Sequence, residues 1–269
     1  MLALGALHCA GEGTPNVVLE PGLGADHRAW GLVQPELAET TRVCSYDRAG
    51  LGSSVPVSGP RTIDDLVNDL HALLLGAGVE RPCVLVGHSF GGILVRMYAS
   101  KHPGDVAGVV LVDSAHPDQV QRLVATLPRF LPGRRRLAAE LDKLLLRTEP
   151  NEEGIDIPAA LAQARKAGPL PRTPLVVITA AEKDNSGLGR AMKKRFDRAW
   201  FSMQQELAAL SNDSVHVVAT TSGHDVMSPL GQPRLVAAAI REVVRSVRTG
   251  RPLGSCADVF APLGGQCVA

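Results

Sequence analysis

The segment with the clearest chemical potential is Gly87-His88-Ser89-Phe90-Gly91. A serine hydroxyl is a weak nucleophile and acts only where a base can reach it. The apolar run Cys83–Val86 ahead of it reads as a strand, and Gly91–Ser100 behind it reads as a helix. A G-x-S-x-G sequence at such a strand-to-helix turn lifts the serine clear of the backbone. Glycines 87 and 91 lack the Cβ atoms that would crowd so sharp a bend. The new helix also turns its first N–H groups toward any negative charge that develops beside Ser89. The chemistry this pattern suits is nucleophilic attack followed by acyl transfer.

Such a nucleophile needs a base, and His224 is the best placed. It lies in Thr221-Ser222-Gly223-His224-Asp225, just past the strand-like Val215–Ala219 and before the last helix. His8, His71 and His102 fall inside strands or helices or at a helix end. His88 adjoins Ser89 but cannot easily fold back onto its neighbour's hydroxyl.

The rest of the chain must position these two residues. Strand candidates are Leu4–Cys9, Asn16–Leu19, Arg42–Tyr46, Cys83–Val86, Val109–Val112, Leu175–Thr179 and Val215–Ala219. Several are unbroken apolar runs, the pattern of parallel strands covered on both faces. Between them Thr62–Leu75 has an apolar stripe, Thr62 as N-cap and Asp65 three residues on. Gly91–Ser100 and Pro233–Val247 are two further helices. Strands alternating with helices predict a doubly wound, mostly parallel α/β sheet. The long connection from Asp113 to Pro174 should carry its own structure, with helices over Gln119–Leu131 and Arg135–Leu146. Residues 1–115 and 171–248 are thus expected to form the core and 116–170 a small helical lid. The basic run Arg134-Arg135-Arg136 reads as a solvated helix start, with contact to an acidic substrate as the alternative. Residues 249–269 lack periodicity and are expected to form an irregular tail.

Bulk properties exclude several function classes. In 269 residues the formal net charge is only +1, and aromatic residues make up 3%. That argues against a nucleic-acid or anionic-membrane surface and against base-stacking platforms. No stretch is long enough to span a membrane, and Met1–Leu7 is too short for a secretory signal. Five cysteines occur, none at a zinc-like CxxC spacing, so no metal is expected.

Leu19-Glu20-Pro21-Gly22-Leu23-Gly24, Tyr46-Asp47-Arg48-Ala49-Gly50-Leu51-Gly52-Ser53, the Ser89 elbow and Ser222-Gly223-His224 together resemble the α/β-hydrolase superfamily, on its serine esterase and lipase side. The resemblance runs from about Leu4 to Arg248 and implies an eight-stranded sheet. It implies an oxyanion hole built from the backbone amides of Leu23 and Phe90, and cleavage of a small carboxylic ester without a cofactor. The same constellation would serve an amidase, lactonase, thioesterase or cofactor-free perhydrolase, or a ligand receptor on a hydrolase fold. For the acid, most relatives use the loop that here carries Glu182 and Asp184, whereas some use the strand end at Asp113. Asp113 is preferred over Asp184, with Glu182 behind. Asp47 and Arg48 sit in what is mostly a structural turn in relatives and receive no catalytic role. In this fold the strands bearing Cys9 and Cys44 should be neighbours, so these two could be bridged, and Cys256–Cys267 could close a loop in the tail. Bridging would favour an extracytoplasmic or secreted setting, and free thiols a cytoplasmic one.

Overall fold

The computed structural model describes residues 6–128, 133, 135–139, 151–170, 172–181 and 189–268. Eight strands make one sheet: β1 (Ala6–Ala10), β2 (Val17–Glu20), β3 (Val43–Asp47), β4 (Cys83–His88), β5 (Val106–Val112), β6 (Leu175–Ala180), β7 (Ser214–Ala219) and β8 (Gly265–Cys267). Their spatial order is β1-β3-β2-β4-β5-β6-β7-β8. The edge strands β1 and β8 run antiparallel to their neighbours, and all other pairings are parallel. Every residue of β2, β4 and β6 is buried, as the apolar runs require of strands covered on both faces.

Helices cover the two faces. On one lie α2 (Ile63–Gly76) and α3 (Phe90–Lys101), whose Leu66, Leu70, Ile93 and Leu94 pack on Leu85 and Leu111 of the sheet. The start of α2 is fixed locally, because Thr62 and Asp65 form a reciprocal capping box. On the other face α7 (Pro233–Thr249) buries Leu235, Val236, Ile240 and Val243 beside Val84, Val110 and Val176. The short α1 (Gln34–Ala38) adds Leu37 to this second core.

The connection after β5 holds α4 (Gln119–Ala125) and α5 (Ile157–Ala164). The first is shorter than its apolar pattern predicts; Thr126 closes it, its hydroxyl donating to Leu123 O at 2.6 Å. Residues 135–139 are helical, and the rest of the helix expected over Arg135–Leu146 lies outside the described residues. Helix α5 has no counterpart in the sequence reading; it forms because Asp156 caps it while Ile157, Ala160 and Leu161 join the core. The 19-residue α6 (Arg190–Ala208) has no counterpart in the sequence reading and buries Phe196, Met203 and Leu207.

The tail corrects the expectation of irregularity. It forms α8 (Cys256–Phe260) and then β8, which pairs with β7. Elements this short carry no periodic signal and form only through tertiary contact. Here Phe260 is fully buried in the second core, and Cys256 and Cys267 have their sulfurs 2.11 Å apart. Cys9 and Cys44 face each other across β1 and β3 at disulfide distance, 2.07 Å. Cys83 is free and buried, which pushes its thiol up to about 12. Among the described residues no helix is long and apolar enough to cross a membrane.

Candidate active site

Ser89 joins the last residue of β4 to the first of α3 with φ 53 and ψ −121, a left-handed conformation that non-glycine residues rarely adopt. Strain of this kind persists where the surroundings fix the backbone. Here Ser89 N donates to Val112 O at 3.1 Å and Ser89 O accepts from Ala115 N at 2.9 Å, so the bend is tied to both sides of Asp113. A Cβ on residue 91 would lie 2.5 Å from Glu20 O, which explains the glycine there.

The structure brings Ser89, His224 and Asp113 together. Ser89 Oγ lies 2.9 Å from His224 Nε2, and His224 Nδ1 lies 2.6 Å from Asp113 Oδ2. A carboxylate only accepts, so Nδ1 carries the ring proton and Nε2 presents its lone pair to the serine hydroxyl. Asp113 follows β5 at φ 39 and is completely buried. Its Oδ1 accepts from Trp200 Nε1 at 3.0 Å and from Ala180 N at 3.1 Å. Glu182 and Asp184, the other acids considered, lie outside the described residues.

Ser89 and His224 border a cavity of about 370 Å³. Gly22, Leu23 and Phe90 line it next to the serine, and Ile157 and Leu161 of α5 add an apolar wall. Phe90 is the first residue of α3, so its N–H has no acceptor within the helix.

A family model for the alpha/beta hydrolase family matches residues 17–239, from β2 into α7. The chain belongs to this family. An uncharacterized Bacillus subtilis protein, YqjL, is 27% identical over 237 residues, covering 88% of this chain and 86% of its own. Among solved structures, a thermophilic esterase from Thermogutta terrifontis aligns with a TM-score of 0.64 at 23% identity, over 90% of this chain and 93% of that one. An enol-lactonase from Burkholderia xenovorans LB400 aligns with 0.63 at 20% identity, over 90% and 96%. These two likenesses are ones of fold.

In this alpha/beta hydrolase two side chains at the site escape a reading of the sequence. His88 does not reach Ser89 Oγ; its Nε2 instead donates to the carbonyl of His224 at 3.0 Å and so holds the loop bearing that histidine. Trp200 reaches Asp113 from α6. The signal for His88 was its place beside the nucleophile, whereas Trp200 gave none. Two histidine–aspartate groups, His8–His27–Asp47 and His71–His102–Asp105, have ligand-type atoms within 4.8 Å of one another. Their carboxylates are already engaged, Asp47 by His27 and Ser53 and Asp105 by Arg81 and Tyr98.

Burial pushes His88, His116 and His216 down to about 4. The unfolded chain, where histidine titrates near 6.5, then binds more protons than the folded one between about pH 6.5 and 4. The three histidines' contribution to stability must therefore fall as the pH drops through that window, opposed in part by Glu20, whose carboxyl is pushed up to about 7 by burial. Calorimetry should show a lower Tm at pH 4.5 than at pH 7, with His216→Gln reducing the difference; an unchanged Tm would contradict this account.

Proposed function

We propose that this alpha/beta hydrolase cleaves carboxylic esters through an acyl-enzyme on Ser89. The observation that carries the reading is the continuous hydrogen-bonded chain from Asp113 through His224 to Ser89 at the wall of an open cavity. His224 Nε2 takes the hydroxyl proton as Ser89 Oγ forms a bond to the ester carbonyl carbon. The resulting oxyanion accepts hydrogen bonds from the backbone amides of Leu23 and Phe90. The C–O bond to the leaving alcohol then breaks, and the alkoxide takes the proton from His224. Water repeats the sequence on the acyl-enzyme and releases the acid. Asp113 keeps the ring oriented and stabilises its cationic form.

The names of the two structural neighbours, esterase and enol-lactonase, fit this chemistry. In this reading α4 and α5 belong to a lid over the cavity, and Ile157 and Leu161 limit the acyl group. A fluorophosphonate probe should label the wild-type protein and fail to label Ser89→Ala. A series of p-nitrophenyl esters from acetate to octanoate should show turnover that depends on acyl length. A wild-type protein that neither reacts with the probe nor turns over any ester would sink the proposal.

A further inference from the structure

Arg48 lies in the turn after β3, about a hundred residues from Glu153, yet the two meet beneath the Pro21-Gly22-Leu23-Gly24 turn. All five guanidinium N–H donors are used. Nη1 donates to Glu20 and to Pro21 O at 2.8 Å, Nη2 to Gly22 O at 2.7 Å and Glu153 Oε1 at 3.0 Å, and Nε to Glu153 Oε2 at 2.5 Å. Glu153 Oε1 also accepts from Gly24 N at 2.8 Å. Arg48 is 3% exposed, and Glu20 and Glu153 are fully buried.

A trans peptide holds its C=O and N–H pointing in opposite directions. The carbonyl of Gly22 and the amide of Leu23 belong to one such unit. With the carbonyl drawn inward to Arg48, the Leu23 N–H is turned the other way, out of the buried cluster, and Gly22 and Leu23 both line the cavity beside Ser89. Gly24 N, one peptide on, is held by Glu153 and cannot swing. The Gly22 carbonyl also accepts from Ala25 N at 3.2 Å, a long turn hydrogen bond that the shorter contact from Arg48 reinforces. Glu153 reaches the cluster because residue 50 is glycine: at φ 91, a Cβ there would lie 2.4 Å from Glu152 O.

We propose that Arg48, braced by Glu153 from the segment between β5 and β6, is a positioning residue that aims the Leu23 amide at the oxyanion of the ester reaction. The inference rests on the ester-cleaving reading above and adds to it a requirement for the guanidinium fork. Lysine cannot replace it, since an ammonium offers three donors from a single nitrogen and cannot span two carbonyls and a carboxylate at once.

Arg48→Lys, Arg48→Met and Glu153→Gln separate positioning from mere stability. For the two Arg48 variants kcat on p-nitrophenyl acetate should fall roughly 10²-fold, with KM changed by less than about threefold, the signature of lost transition-state contacts. Glu153→Gln, which keeps both carbonyl contacts of Arg48, should lose about tenfold. The deciding readout is the rate ratio between an oxoester and the matching thionoester, whose sulfur is a weak hydrogen-bond acceptor. That ratio should contract in the variants by most of the loss in kcat. Equal losses on both esters, or a lowered Tm with unchanged kcat, would overturn the proposal. If Arg48→Met does not fold, Arg48→Lys and Glu153→Gln carry the same readouts. A wild-type protein inactive on oxoesters and unlabelled by fluorophosphonate would instead mark failure of the ester reading itself.

Discussion

Replacing Ser89 with alanine should lower kcat for ester hydrolysis by roughly 10⁶ while leaving the fold intact. In the proposed reaction the hydroxyl supplies the electron pair that forms the acyl bond, and among the described residues Ser89 Oγ is the group hydrogen-bonded to His224 Nε2. Little stability is at stake. Ser89 Oγ makes one side-chain hydrogen bond, to His224, and alanine tolerates φ 53 no worse than serine does. Steady-state assay on p-nitrophenyl acetate and a thermal melt measure the two halves of the prediction. Activity within tenfold of wild type would remove Ser89 from the mechanism.

On the proposed mechanism Asp113→Asn should cost roughly 10⁴ in kcat, through the tautomer of His224. In the wild type two donors, Trp200 Nε1 and Ala180 N, converge on Oδ1, while Oδ2 faces His224 Nδ1. An asparagine in this position places its carbonyl oxygen against the two donors, because its NH₂ group cannot accept from them. The NH₂ group then points at His224 Nδ1 and donates to it. The ring is forced into the tautomer with its proton on Nε2, and the lone pair that receives the serine proton is gone. The variant should keep the shape of the site, so KM should change little. Asp184→Asn serves as the control and should retain most of its activity. Loss in the Asp184 variant alone would transfer the acid's role to that loop.

How much of this was legible in the chain depends on how local each signal is. The strands were readable because a parallel strand covered on both faces must be a continuous apolar run, and Val84–Val86, Val109–Val112 and Leu175–Ile178 are such runs. Helix α2 was readable because its cap is made by residues three apart. By contrast, α6 was missed: it is mostly polar, and only Phe196, Met203, Gln204, Leu207 and Ala208 of its 19 residues are buried. The tail was misjudged because α8 and β8 are too short for any period to show, and their stability comes from Phe260 and the edge of β7.

The elbow around Ser89 was determined by sequence alone. Its glycines, its strand and its helix are contiguous, and the steric demands of the bend act within five residues. His224 was nearly as local, because a loop between β7 and α7 has few places to go in a doubly wound sheet. Tertiary structure decided the rest. The acid that meets His224 lies 111 residues before it, Trp200 meets Asp113 across 87 residues, and Arg48 meets Glu153 across 105. None of these partners carries a local pattern that names the other. Only the packed sheet, with Asp113 at a strand end and the guanidinium sealed below the glycine turn, brings their donors and acceptors into range. The spacing of Gly87, Ser89 and Gly91 specifies the bend that presents Ser89; the burial of charges far apart in the chain aligns what surrounds it.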